Sequence, residues 1–173
     1  FGIGGVGVHA VLLSKLFGCR TIAVDISEDR LAVAHEAGAD LGIDASLQDP
    51  VMAVIQATDG VGADHAFDLV GSPRAIQQCL GAVRKGGKVV LVGLSPATVA
   101  LKPLDIILRE VDIVTSIDHL GVELDEVIHL AAGRQIDLSK SITHRVSLEE
   151  VNQGFRILEQ RISNPTRVVV LPQ

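Results

Sequence analysis

Short β-branched runs alternate along the chain with stretches whose apolar positions recur at helical spacing, a pattern that predicts a parallel sheet covered by helices, the α/β class. In "GVHAVLLSKLFG", Val8, Val11, Leu12 and Leu16 share a helical face, and Gly18 supplies a stop. "TIAVD" reads as a buried strand. "SEDRLAVAHEAG" then opens on Ser27 as a cap, carries acids in its first turn and ends at Gly38, the signals of a second helix. A short "LGID" run and a helix near "PVMAVIQATDG" follow. "ADHAFDLVG" is the next strand, and "SPRAIQQCLGAVRKGG" reads as a helix that Ser72 caps and Pro73 opens. "KVVLVG", the helix-like "LDIILRE" and the strand "DIVTS" complete the alternation.

Beyond Ser116 the texture changes. "VELDEVIHLAAG" is an amphipathic helix and "ITHRVS" a short extended piece. "SLEEVNQGFRILEQ" opens with a capping box of Ser147 and Glu150, and "TRVVVL" is a last strand. No internal repeat, low-complexity tract or flexible linker interrupts the pattern.

With 173 residues, 47% of them hydrophobic, the chain can bury one substantial core and a small appendage. Its net charge is -6 and no basic stripe forms, which argues against a nucleic-acid partner. The scarcity of aromatic residues leaves little for single-stranded bases to stack on. Apolar runs fall far short of the roughly 20 residues of a membrane span, and no leader precedes the first motif, so a soluble, cytoplasmic protein is expected. Cys19 and Cys79 fit neither a disulfide framework nor a structural zinc site and read as buried thiols.

The opening "GIGGVG" places Gly2, Gly4 and Gly7 on G-x-G-x-x-G. Gly2 permits the tight turn, Gly4 removes a side chain where a pyrophosphate approaches the backbone, and Gly7 lets the helix pack on its strand. Val6 and its neighbours then offer helix N-terminal amides to the anion. A close-packed turn without ligand satisfies the same three glycines. Asp25, ending "TIAVD" at the spacing of a dinucleotide fingerprint, favours the ligand, because its carboxylate can accept from the adenosine ribose hydroxyls. The alternative role for Asp25 is to cap the helix that follows. Its negative charge favours NAD over NADP, whose 2′-phosphate would face it; Arg30, a helical turn onward, is the counterweight.

These motifs, together with "VDISEDRLAVAHEAGAD", "GADHAFDLVGS", "GGKVVLVGL" and the tail through "TRVVVL", resemble the medium-chain dehydrogenase/reductase superfamily, particularly its zinc-dependent alcohol and polyol dehydrogenases. The resemblance implies a doubly wound Rossmann sheet of order 3-2-1-4-5-6 over residues 1–117. It assigns 118–173 to helices and a strand that return to the catalytic domain. It further implies that Gly2, Gly4, Gly5, Val6 and Gly7 contact the pyrophosphate, and that Asp25 and Arg30 lie at the adenosine. By the same carry-over Leu69, Val70 and Gly71 border the adenine side of the cleft, Val92, Gly93 and Leu94 present backbone to the nicotinamide, Ser116 and Ile117 flank it, and Arg167 reaches the pyrophosphate. Core packing is the plainer reading of the Leu and Val positions, and a solvated charge that of Arg167.

In that family the zinc ligands, the proton relay and most of the substrate pocket precede the glycine turn, so zinc is implied for the full-length enzyme and not for this chain. The six histidines are scattered, and none is at metal-ligand spacing with a Cys or an acid. His119 beside Asp118 is the one placed near the expected nicotinamide. Only Phe1 stands where the central strand should be, so the chain is expected to be a piece of a longer enzyme. A less favoured expectation has "TRVVVL", or a strand from a second copy, filling the slot. The segment 98–103 is expected to pair with its copy in a homodimer or homotetramer. The function implied is hydride transfer between an alcohol and NAD; a zinc-free quinone or enoyl reductase, a non-catalytic NAD-binding module and a methyltransferase are the alternatives.

Overall fold

The computed structural model describes residues 1–172, which divide into two compact units, Phe1–His119 and a second that begins at Leu120. The first contains α1 (Gly7–Leu16), β1 (Ile22–Asp25), α2 (Glu28–Glu36), β2 (Leu41–Asp44), α3 (Pro50–Ala57), β3 (Ala63–Asp68), α4 (Pro73–Ala82), β4 (Val83–Leu91), α5 (Pro103–Arg109) and β5 (Asp112–Thr115). All its strand pairs are parallel: β1 with β2, β3 with β4, and β4 with β5. Parallel neighbours require a crossover, and α2, α4 and α5 are the helices that supply one. The result is the Rossmann-like α/β arrangement expected.

The central strand, expected to be largely missing, is reduced to its last residues. The strands β2-β1 and β3-β4-β5 form separate ladders, and the chain between them contributes only Phe1 and Gly2. The Phe1 amino group donates to the Phe67 carbonyl oxygen at 2.9 Å, the Leu69 amide donates to the Phe1 carbonyl oxygen at 3.0 Å, and the Gly2 amide donates to the Val24 carbonyl oxygen at 2.8 Å. These two residues thus make the last rung of the central position. "TRVVVL" does not fill the slot, because its Val168–Leu171 pairs in parallel with His144–Ser147 in the second unit.

The core follows the same division. Val24, Ile43, Val54 and Ala82 pack on one side of the Phe1 ring, and Ala66, Cys79, Val83 and Val89 on the other. Full burial of a residue such as Val89 contributes roughly 1.5–3 kcal/mol. A third cluster of Ile3, Val8, Val11, Ala23 and Ala34 fixes α1 and α2 to the strand between them.

Local signals explain most boundaries. Gly18 and Gly38 end α1 and α2 in left-handed turns, where the amides of Cys19 and Ala39 reach back to the carbonyl oxygens of Ser14 and Ala34. The Ser72 hydroxyl accepts from the Ala75 amide at 3.2 Å, as a cap should. Ser27 stands at the cap of α2 but its hydroxyl makes no cap bond; Asp25 takes the local amides instead. The helix expected through "RKGG" ends at Ala82, and β4 begins at Val83. Arg109 of α5 donates to the carbonyl oxygens of Leu80 and Val83, which a longer helix would use internally. Cys19 is exposed, not buried, because it leaves the end of α1 just past the Gly18 turn; Cys79 is buried.

The second unit holds α6 (Gly121–Ala132), β6 (His144–Ser147), α7 (Val151–Glu159) and β7 (Val168–Leu171). Gly154 of α7 lies so close to the strands that a Cβ there would sit 3.3 Å from both Val146 and Val168. The expected capping box at Ser147 is only half a box. The Ser147 hydroxyl and amide both donate to the Glu150 carboxylate at 3.2 Å, and the helix starts one residue after Glu150. Ser147 is the last residue of β6, too early to cap α7.

Candidate functional site

In an open parallel sheet the usable crevice lies beyond the carboxyl ends of the strands, where the chain order reverses. Here that point lies between β1, whose chain runs outward to β2, and β3, whose chain runs to β4. The glycine turn occupies it. Gly2 has φ +92°, and a Cβ on Gly7 would stand 2.1 Å from the Gly2 carbonyl oxygen, so only hydrogen fits. Around Gly4, by contrast, the nearest atom to such a Cβ is Arg30 Nη1 at 3.8 Å. The turn is close-packed at Gly2 and Gly7 and open at Gly4. No side chain caps α1, and Val6 at its N-cap is exposed, so the opening amides face outward with the positive end of the helix dipole. Gly5 lies inside the turn, where its carbonyl oxygen is 2.6 Å from His9 Nδ1.

Asp25 ends β1 and is only 8% exposed. Its Oδ2 accepts from the Ile3 amide at 2.7 Å, and its Oδ1 from the amides of Ile26 and Ser27 at 2.8 and 3.1 Å. The carboxylate therefore tethers the glycine turn to the end of β1 and faces the crevice. Oδ2 retains acceptor capacity, and Arg30 Nη1 lies 4.0 Å from it.

The far wall is built from two loops, Leu69–Gly71 after β3 and Val92–Leu94 after β4. Leu69 and Val70 touch the glycine turn: a Cβ on Gly2 would meet Val70 Cγ2 at 2.6 Å, and one on Gly7 would meet Leu69 Cδ1 at 3.4 Å. Gly71 and Gly93 cross backbone on backbone, and a Cβ on Gly93 would sit 2.1 Å from the Gly71 amide nitrogen. Ser116, past β5, donates its amide to the Leu91 carbonyl oxygen at 3.0 Å, and Ile117 beside it is exposed.

The structure thus assembles Gly2 to Gly7, Asp25, Arg30, Leu69 to Gly71 and Val92 to Gly93 around one crevice, with Leu94, Ser116 and Ile117 on its strand-end side. Arg167 belongs to the second unit, where its main chain bonds Thr143 and His144 ahead of β7. His119 Nδ1 lies 2.7 Å from Asp118 Oδ1, both exposed. Among the described residues no three His, Cys, Asp or Glu side chains gather to hold a metal ion. The described residues therefore offer no ligand set that fits the zinc implied for the family.

One residue escaped sequence reasoning. Asp68 ends β3 with no exposure at all. Its Oδ1 accepts from the amides of Val70 and Gly71 and its Oδ2 from Gly71, all at 3.1 Å. Its own carbonyl oxygen accepts from the amides of Val92 and Gly93 at 2.9 Å, so one residue pins both loops. The available signal was an acid at a strand end two residues before a small "VG" turn, and Asp25 shares with it only the place at a strand end.

Comparison with known proteins agrees with this geometry. The profile of a family described as zinc-binding dehydrogenase matches residues 5–133. The chain is 31% identical to an alcohol dehydrogenase of Geobacillus stearothermophilus, covering 100% of this chain and 50% of that protein. It is also 31% identical to an L-threonine 3-dehydrogenase of Symbiobacterium thermophilum, covering 99% and 49% respectively. Among solved structures, benzyl alcohol dehydrogenase from Acinetobacter calcoaceticus superposes with a TM-score of 0.90 at 27% identity, over 99% of this chain and 48% of that one. An alcohol dehydrogenase from a Thermus species reaches 0.92 at 24% identity over 99% and 49%, a likeness of fold. The chain spans about half the length of the curated relatives it matches. Because the family match covers well over half of its residues, the chain belongs to the zinc-binding dehydrogenases.

Proposed function

We propose that this chain is the cofactor-binding portion of an NAD-dependent alcohol or polyol dehydrogenase. The observation that carries the reading is the Asp25 carboxylate, turned into the glycine turn with acceptor capacity left at Oδ2 beside an open cradle at Gly4. The opening amides of α1, at the positive end of a helix dipole that no side chain caps, bind the diphosphate. Asp25 accepts from an adenosine ribose hydroxyl, and Arg30 lies alongside the adenosine. The exposed backbone of Val92 to Leu94, with Ser116 and Ile117, orients the nicotinamide, which when bound exchanges a hydride with the alcohol. Leu69 and Val70 exclude water from the cofactor's flank. The segment from 118 onward, Arg167 with it, belongs with the catalytic domain of the complete enzyme. Zinc and its ligands lie outside this chain, and no step here passes through them.

Asp25 also sets the choice of cofactor. A 2′-phosphate would bring like charge against a carboxylate whose oxygens are already turned toward the turn, so NAD binds in preference to NADP. In calorimetric titration of the full-length protein, Asp25→Ala raises the NAD dissociation constant and shrinks its preference over NADP. Unchanged affinities for both would overturn the reading. A second copy pairs through 98–103, next to the exposed Leu101, Leu104, Ile107 and Leu108; a monomer in light scattering would refute that pairing.

A further inference from the structure

The chain leaves the central position of the sheet between Gly2 and Gly4, and the hydrogen bonds there change in kind. The Gly2 amide donates to a main-chain acceptor on β1, the Val24 carbonyl oxygen, at 2.8 Å. One residue further along both segments, the Ile3 amide donates to a side chain instead, to Asp25 Oδ2 at 2.7 Å. A carboxylate thus supplies the last rung where the turn departs from the sheet. Both residues are buried, and a buried amide left without an acceptor is costly. The Ile3 side chain packs with Val8 and Val11 of α1 and Ala23 of β1, so this one peptide is gripped from two sides.

The turn that this bond anchors is the one offered to the diphosphate. Gly4 lies one residue beyond Ile3 and is open on its crevice side, and Gly5 and Val6 carry the chain into α1. Glycine imposes little restraint of its own on φ and ψ, so the direction of such a turn depends on the partners of its bonded amides. The other oxygen of Asp25 is engaged locally, by the amides of Ile26 and Ser27 at 2.8 and 3.1 Å. The carboxylate is therefore fixed to the end of β1 through Oδ1 and holds the turn through Oδ2.

We propose that Asp25 is a positioning residue for the diphosphate as well as an acceptor for the ribose: through the Ile3 amide it fixes the glycine turn, so part of its contribution to binding is independent of any ribose hydroxyl. The inference rests on the dinucleotide reading above. Its test compares NAD+ with the analogue that carries 2′,3′-dideoxyadenosine, in the full-length protein and in Asp25→Ala. The analogue keeps the diphosphate and lacks both hydroxyls that could donate to Asp25. In the variant its dissociation constant should rise roughly three- to tenfold, the size of one buried amide deprived of its acceptor, and that for NAD+ by a larger factor. Unchanged affinity for the analogue beside weakened NAD+ would overturn the proposal and leave Asp25 a ribose acceptor only. Asp25→Ser is the second variant: its hydroxyl can still serve the amides of Ile26 and Ser27 but falls short of the Ile3 amide, so it should weaken the analogue as Ala does. Asp49→Ala removes the acceptor from the Val51 and Met52 amides at the start of α3, a comparable local loss away from the turn. It should leave both affinities within about twofold; an equal weakening there would mark the Asp25 effect as general destabilisation and overturn the proposal. Hydrogen exchange of residues 2–8 should accelerate in Asp25→Ala and not in Asp49→Ala. Wild-type protein that binds neither ligand would instead remove the dinucleotide reading itself.

Discussion

Asp25 and Asp68 occupy equivalent places, each the last residue of a parallel strand on either side of the slot that Phe1 enters, yet they do opposite things. Asp25 gathers amides from two segments, keeps a sliver of exposure and has Arg30 within 4.0 Å. Asp68 is sealed, is met by main-chain amides and serves loops rather than solvent. A strand-end carboxylate is therefore defined by what its neighbours leave open. One keeps an exposed edge with a cation near it, and the other is fully occupied by protein.

Substitutions should separate the two roles, beginning with the crossing that Asp68 supports. Gly93→Ala places a methyl group against the Gly71 backbone, with no flexible side chain to yield; it should destabilise the protein by about 3 kcal/mol in urea denaturation and abolish cofactor binding. Asp68→Ala leaves the Val70 and Gly71 amides buried without acceptors, and a loss of about 2–3 kcal/mol in the same measurement is expected. Asp25→Ala should weaken NAD binding by about 1.5–2 kcal/mol, more than tenfold, as read by titration, with a smaller change in unfolding midpoint than Asp68→Ala. Equal stability losses for Asp25→Ala and Asp68→Ala would erase the distinction.

The smallest effect belongs to Asp40, an exposed carboxylate ahead of β2. A hydrogen bond from Lys15 and then the Thr21 amide hold its carboxyl below the ordinary value of 3.8. A depressed folded value means that the stabilisation is present above pH 3.8 and is lost as pH falls through the lower folded value. Thermal melts of Asp40→Asn should accordingly converge with wild type at acid pH and differ slightly near neutrality.

Much of this architecture was legible because its causes are local. The glycine turn, the Gly18 and Gly38 stops and the Ser72 cap depend on residues within a few positions of each other, and the spacing of Asp25 from the glycines follows one strand-helix-strand unit. What sequence reasoning missed depends on distant partners. The end of α4 at Ala82 is set by Arg109, which arrives from another helix to take its last carbonyl oxygens. The early start of β4 follows from that ending. Ser147 looked like a cap because the Glu at the right spacing was present, but the strand pairing with β7 claimed Ser147 for β6. Asp68, like Asp25, ends a strand, and nothing short of the fold could show that one would meet open space and the other a pair of loops.

The place where Gly71 and Gly93 touch has no side chain on either partner, so this wall of the crevice offers nothing to edit without damaging the scaffold. Any change in the character of that wall must then fall to the residues that flank it, Val70 and Leu94, whose side chains reach solvent at 49% and 79% exposure.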